Sequence, residues 1–265
     1  MGIDDYLTKP FKADDLLKTV KVRIDKYKKQ NEKIIHIKNN ISKYIPHELR
    51  TPLGVIIGFS DLILEAGKDI SREEVVEMVQ RIKKSSQRLH SRIEKLILLT
   101  EIDIDLEEKN DKGSKLREQV VCEERFLEAI ISDTIAYHDR TNDVSIKFER
   151  AELYINEFYF KRLIIELLDN ALKFSSKSES VSLIGKKRLS NYEITVKDHG
   201  FGMGSEEINN LTPFTQFNRE KYQQEGNGLG IYIVNKIVKL FEGECEFLTS
   251  EQEGIIVRIK LKYTV

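Results

Sequence analysis

Cysteine is scarce. Two, Cys122 and Cys245, lie far apart in 265 residues. They form neither a metal-ligand spacing nor a disulfide framework, so they read as buried thiols in a reducing compartment. An excess of one charge is also missing: Lys+Arg 43 stands against Asp+Glu 44, a net charge of −1. That excludes a footprint for nucleic acid or for an anionic membrane surface. No apolar run approaches the roughly 18 residues of a membrane span; Leu53 to Ser60 is among the longest. No signal peptide is expected, because Met1 is followed by Gly2, Asp4 and Asp5. A cytoplasmic location without a membrane segment is expected, any anchor of a parent protein lying upstream. What remains is 40% hydrophobic and 33% charged, the composition of one or two globular domains.

Proline is rare as well, and two of the four, Pro46 and Pro52, flank His47. The surrounding stretch is Ile45-Pro46-His47-Glu48-Leu49-Arg50-Thr51-Pro52-Leu53. Apolar residues recur at helical spacing from Ile34 through Ile41 and Leu49 to Ile63. Each proline removes a backbone donor and crowds the carbonyl four residues back, so the helix bends beside His47 and exposes it. A neutral imidazole is a nucleophile, and the carboxylate of Glu48 can hold its tautomer or take its proton. Gly67-Lys68-Asp69-Ile70 reads as a turn, and Ser71 with Glu74 as a capping box. A second helix follows, with a heptad stripe through Val75, Val79, Ile82, Ser86, Leu89, Ile93, Leu96 and Thr100. One antiparallel hairpin cannot bury both stripes; two hairpins make a four-helix bundle, so a homodimer is expected.

Residues 103–114 are polar and acidic and read as a linker. From 115 to 265 the pattern turns to mixed helix and strand. Three helices on a mixed sheet of about five strands imply a two-layer α/β sandwich. Residues 200–227 form a long stretch without periodicity, which inside a compact domain suggests a lid.

This second domain carries three separated motifs. In Glu166-Leu167-Leu168-Asp169-Asn170-Ala171-Leu172-Lys173-Phe174, the residues Glu166, Asn170 and Lys173 share one helix face at i, i+4 and i+7. An asparagine carbonyl is a hard ligand suited to Mg²⁺, and a lysine can meet phosphate. Asp198-His199-Gly200-Phe201-Gly202 ends a strand. A carboxylate there can accept a hydrogen bond from an exocyclic amine, and the glycines let backbone approach a ligand. Gly226-Asn227-Gly228-Leu229-Gly230 opens a helix, whose N-terminus is an anion site.

These motifs together resemble the two-component sensor histidine kinases. His47 to Leu53 is similar to the family's H box. Asn170 with Ala171, Lys173 and Phe174 resembles the N box. Asp198, Gly200 and Gly202 resemble the first glycine box. Phe214-Thr215-Gln216-Phe217 resembles the F box, and Gly226, Gly228, Leu229 and Gly230 the second glycine box. The resemblance implies a dimerising phosphotransfer bundle over residues 31–102 and a gyrase-like ATP-binding domain over 115–265. It further implies that His47 takes the γ-phosphate of ATP with help from Glu48, that Asn170 binds Mg²⁺, and that Asp198 recognises adenine. Thr51 stands where relatives act in dephosphorylating a partner, a response-regulator receiver domain. Residues 1–30 themselves resemble the last strand, Lys9-Pro10 loop and final helix of such a receiver, a remnant without its phosphoacceptor.

Two positions depart from the family pattern. Pro46 replaces a small polar residue. Glu166 replaces an asparagine, and in the superfamily's ATP hydrolases a glutamate at this place activates water. Two roles stay open for Glu166: a contact in the Mg²⁺ shell, or the general base of a gyrase-like ATP hydrolase. A dimeric adaptor without catalysis is a third reading, separated by nucleotide binding.

Overall fold

A computed structural model describes residues 49–67, 69–112, 118–177, 179–200, 202, 229–249 and 254–264. The receiver-like segment, His47, Glu48, Phe214, Gly226 and Gly228 lie outside the described residues.

The first helix, α1, covers residues 49–66. It stops at Gly67, whose φ of +55° suits a residue without a Cβ. The second, α2 (Arg72–Lys112), starts with the expected capping box. Ser71 N–H donates to Glu74 Oε2 at 3.0 Å, and Glu74 N–H donates to Ser71 Oγ at 3.2 Å. These bonds hold the Glu74 carboxyl below its ordinary value, the Ser71 hydroxyl contributing most. The two helices fold back as a hairpin, with the Arg81 guanidinium 5.5 Å from the Phe59 ring centre.

The sandwich comprises β1 (Val120–Cys122), α3 (Glu124–His138), β2 (Val144–Phe148), β3 (Ala151–Leu153), α4 (Glu157–Phe174), β4 (Val181–Lys187), β5 (Tyr192–Lys197), α5 (Leu229–Leu240), β6 (Glu244–Thr249) and β7 (Ile255–Leu261). Five strands form one sheet in the order β2-β4-β5-β7-β6, while β1 and β3 pair separately. Only β2 with β4 is parallel. Opposing registers place Ile194 across from Gly185 and Ile259, and Val196 across from Leu183 and Val257.

Burial alternates along β5, with Tyr192, Ile194 and Val196 inside. That alternation leaves one sheet face in water and packs the other against the helices. The wet face is laced by charge: Glu193 takes Arg188 at 2.7 Å, and Lys260 takes Glu244 at 2.8 Å. Phe160, Leu163, Ile164 and Leu168 of α4 are fully buried. Each such side chain contributes on the order of 1.5–3 kcal/mol relative to exposure. The two-layer expectation therefore holds.

The linker expectation does not hold over residues 103–112, which continue α2 as helix. The apolar pattern persists through Ile102 and Leu106, and Leu98 and Ile102 are buried in the same cluster as the sandwich core. Two acids of this stretch have partners on the other domain: Asp103 bonds Lys236, and Asp105 accepts from Tyr159 Oη at 2.7 Å. A polar, acidic helix face looks like a linker only while its partners are out of view.

Candidate functional site

Helix α4 is the spine of the site. Asn156 caps it, accepting from Tyr159 N–H at 2.9 Å. Its C-terminal end is gripped by Arg140, a residue the sequence did not single out. The Arg140 guanidinium is almost fully buried and donates to the carbonyls of Leu172 (2.8 Å) and Ser175 (3.1 Å), to Ser175 Oγ (2.7 Å) and to the Glu179 carbonyl (2.5 Å). It also pairs with Asp143 at 2.7 Å. These bonds satisfy terminal carbonyls that a helix leaves unpaired.

The face carrying Glu166, Asn170 and Lys173 is not freely solvated. Helix α5 packs against α4, Lys95 of α2 reaches Glu166, and Glu166 is only 4% exposed, while Asn170 and Lys173 are half-buried. Asn170, Phe174 and Asp198 line one shared pocket together with Leu167 and Ala171. Asp198 enters from the end of β5 and is buried. Its Oδ1 accepts from Gly200 N–H at 2.9 Å and from Ile255 N–H at 3.2 Å. Burial pushes the Asp198 carboxyl up, and the two N–H groups oppose it. With Oδ1 held by backbone, Oδ2 is the oxygen left to meet a ligand donor.

Glycine is required at Gly200, and at Gly230 it lets two side chains come close to the backbone. A Cβ on Gly200 would lie 2.0 Å from the Phe174 carbonyl oxygen. One on Gly230, in the first turn of α5, would lie 2.7 Å from Asn170 Nδ2, 2.8 Å from Glu166 Oε2 and 3.1 Å from Asn170 Oδ1. Two side-chain oxygens thus converge beside a helix N-terminus, where backbone N–H groups favour anions. Leu229 begins that helix, buried, and Gly202 adopts a φ of +71°. His199 bonds the Ser180 carbonyl at 2.8 Å. Lys173 Nζ stands 5.4 Å from the Phe174 ring centre. Thr51 lies exposed on α1.

Among the described residues, no group of three or more His, Cys, Asp or Glu is placed to hold a metal ion. The Glu166–Asn170 pair nevertheless fits Mg²⁺, which takes one or two protein oxygens and fills its shell with water and phosphate. Glu166 is engaged already. Lys95 Nζ of α2 donates to its Oε2 at 2.7 Å and lies 3.6 Å from Asp169 Oδ2. Burial pulls the Lys95 ammonium down, but Glu166 and Asp169 more than offset it and keep Lys95 protonated. Burial likewise pushes the Glu166 carboxyl up, against the pull of Lys95. Asp169 also bonds His138 Nε2 at 2.9 Å. Burial opposes its ionisation, yet His138 and Lys95 bring its carboxyl down to about 2.

Two family comparisons decide what this arrangement belongs to. Residues 156–265 match the histidine kinase-, DNA gyrase B- and HSP90-like ATPase family, and residues 37–104 match the His Kinase A (phospho-acceptor) domain. The chain therefore carries a phospho-acceptor domain and an ATPase domain of the histidine kinase type. The matches begin downstream of the receiver-like segment, which they leave unassigned.

The chain is similar to the sensor histidine kinase YvrG of Bacillus subtilis. Identity is 29% over 241 residues, covering 89% of this chain and 40% of that protein. It is 28% identical over 212 residues to the histidine-protein kinase ArlS of Staphylococcus haemolyticus, covering 78% of this chain and 44% of that protein. The chain thus spans about two fifths of the length of these curated relatives. Its fold is shared with histidine kinase AdeS of Acinetobacter baumannii, at TM-score 0.58 and 17% identity, covering 83% of this chain and 98% of that one. It is shared also with histidine kinase ThkA solved in complex with the response regulator TrrA, at TM-score 0.60 and 19% identity, covering 90% of this chain and 66% of that one.

The pocket has walls that motif reading missed. Val196, Ile231, Val234, Phe247, Ile255 and Val257 also line it. Their strand and helix alternation marks them as core, and nothing in the linear pattern separates a pocket wall from ordinary core.

Proposed function

We propose that this chain is the kinase core of a two-component sensor: it phosphorylates its own His47 from ATP and passes the phosphoryl group to an aspartate of a response regulator. The observation that carries the reading is the convergence of Asn170, Asp198 and Gly230 from three different elements on one site. The apolar walls and Phe247 suit a purine, and Asp198 Oδ2 suits its exocyclic amine. The N-terminus of α5 suits phosphate oxygens. Asn170 and Glu166 would hold Mg²⁺, which when bound neutralises charge on the transferring phosphate.

His47 Nε2 or Nδ1 attacks the γ-phosphorus; the bond to the bridging oxygen breaks and ADP leaves, while Glu48 accepts the imidazole proton. The protein's contribution is mostly positioning and charge. A labile phosphohistidine suits onward transfer. The receiver partner follows from the family, and ThkA, a structural relative, was solved with such a regulator.

The exposed apolar residues Leu53, Ile57, Leu62, Val76, Val79 and Ile93 of the hairpin suit a four-helix bundle in a homodimer. Incubation with Mg²⁺ and γ-labelled ATP tests the proposal. Acid-labile label appears on the wild type and is lost in His47→Gln; label surviving that substitution overturns the reading. Phosphate release that persists in His47→Gln and disappears in Glu166→Ala would favour the hydrolase instead. Thr51→Ala is expected to slow dephosphorylation of the phosphorylated regulator at least tenfold, and an unchanged rate removes Thr51 from that role.

A further inference from the structure

The contact between α2 and the sandwich ends inside the nucleotide site. Leu98 and Ile102 plug the apolar centre of that contact. Around them lie polar contacts that cross from α2. Lys95 reaches Glu166, Asp103 pairs with Lys236, Tyr159 donates to Asp105, and Arg162 stands 3.6 Å from Glu94. Lys95 also stands 3.6 Å from Asp169. The last three contacts involve no residue lining the pocket. The first takes the one carboxylate that the site offers to a divalent cation.

We propose that docking of α2 and seating of a Mg²⁺-nucleotide at Glu166 exclude each other, with Lys95 the positioning residue that makes them exclusive. The inference rests on the nucleotide reading above. Lys95 Nζ is 2.7 Å from Glu166 Oε2 and only 17% exposed, so its ammonium fills the place of a cation. Oε2 is also the atom that faces the first turn of α5 beside Asn170 Oδ1. A divalent ion between these oxygens would be close to the ammonium in a poorly hydrated site, where repulsion between like charges is strong.

The reverse step has its own constraint. If α2 leaves an empty site, Glu166 loses its bonded counter-ion and keeps only the more distant Arg162 guanidinium, which is costly for a carboxylate set between α4 and α5. Asp169 has no such difficulty, because His138 stays bonded to it at 2.9 Å. The latch is therefore held in the absence of metal and released in its presence. It couples charge in the site to the freedom of the ATP-binding domain to leave α2 for the phosphoacceptor.

Coupling of two equilibria is reciprocal: what weakens docking strengthens binding by the same factor. Calorimetry of the whole chain with Mg²⁺·AMPPNP, and with AMPPNP in EDTA, reads one side. Amide hydrogen exchange over residues 94–106 reads the other. Lys95→Met is expected to bind Mg²⁺·AMPPNP on the order of tenfold more tightly than wild type, within the usual range of such couplings. Its gain is expected to vanish in EDTA. Wild-type protection over 94–106 is expected to fall when Mg²⁺·AMPPNP is added and to stay when the metal is withheld.

Asp103→Lys breaks docking away from the site and is expected to tighten binding several-fold. Adding Lys236→Asp, which restores the pair with its charges exchanged, is expected to return the wild-type affinity. Equal or weaker binding by Lys95→Met, with 94–106 still protected under Mg²⁺·AMPPNP, overturns the exclusion and makes Lys95 a phosphate contact instead. Absence of nucleotide binding in the wild type would overturn the nucleotide reading itself, and the inference with it.

Discussion

The hairpin and the sandwich treat apolar residues in opposite ways. In the sandwich, Phe160, Leu163, Ile164 and Leu168 of a single helix are completely buried within one chain. In the hairpin, Ile57 is 51% exposed, Val79 50% and Leu64 78%. The sandwich closes because a twisted sheet and three helices present complementary faces in one chain. The hairpin has only two stripes, and two helices cannot cover both. Helix α2 shows both behaviours along its length. Its first turns leave Val76 and Val79 in water, while Leu98 and Ile102 join the sandwich core.

Substitutions can sharpen this contrast. Phe160→Ala is expected to destabilise the sandwich by about 3–5 kcal/mol, because a large buried ring leaves a cavity. Thermal or denaturant unfolding monitored in the sandwich checks it, and a loss under 1 kcal/mol would mean that the core there is not close-packed.

Acid comes next in size. The carboxyl of Asp169 is lowered to about 2 against an ordinary 3.8. A depressed carboxylate stabilises the fold above its unfolded value and loses that contribution as pH falls through the folded one. Stability should therefore fall by about 2 kcal/mol between pH 4 and pH 2 through this group. The slope of unfolding free energy over that window should be shallower in Asp169→Asn; equal slopes would remove Asp169 as the cause.

The smallest effect belongs to the hairpin. The double substitution of Ile57→Ala and Val79→Ala should change unfolding of the single chain by no more than about 0.5 kcal/mol, as half-exposed sites usually do. It should weaken self-association clearly in sedimentation. If association is unchanged, these residues are ordinary surface and the bundle uses another stripe.

Much of this was readable in advance, for local reasons. The capping box needs only Ser71 and Glu74, three positions apart, and it formed. The alternation in β5 and the 3.6 periodicity of α4 needed only nearest neighbours, and both elements are where the pattern placed them. Asn170, Phe174 and Asp198 were marked by motif and stand around one pocket. Arg140, Phe247 and the docked end of α2 were not readable, because their partners are remote in the chain. Asp105 and Tyr159 are 54 positions apart, and Asp103 and Lys236 are 133 apart.

Residue order alone determined the helices and strands whose periodicity is local, where the site's glycines, asparagine and aspartate had to be, and that one hairpin leaves apolar surface over. Only the tertiary structure decided that an acidic stretch is a docked helix and that Glu166 faces Lys95 rather than water. Periodicity and capping act over a few residues along the backbone, so a string of letters records them. An ion pair between distant segments exists only once the core between them has closed, and no local pattern carries it.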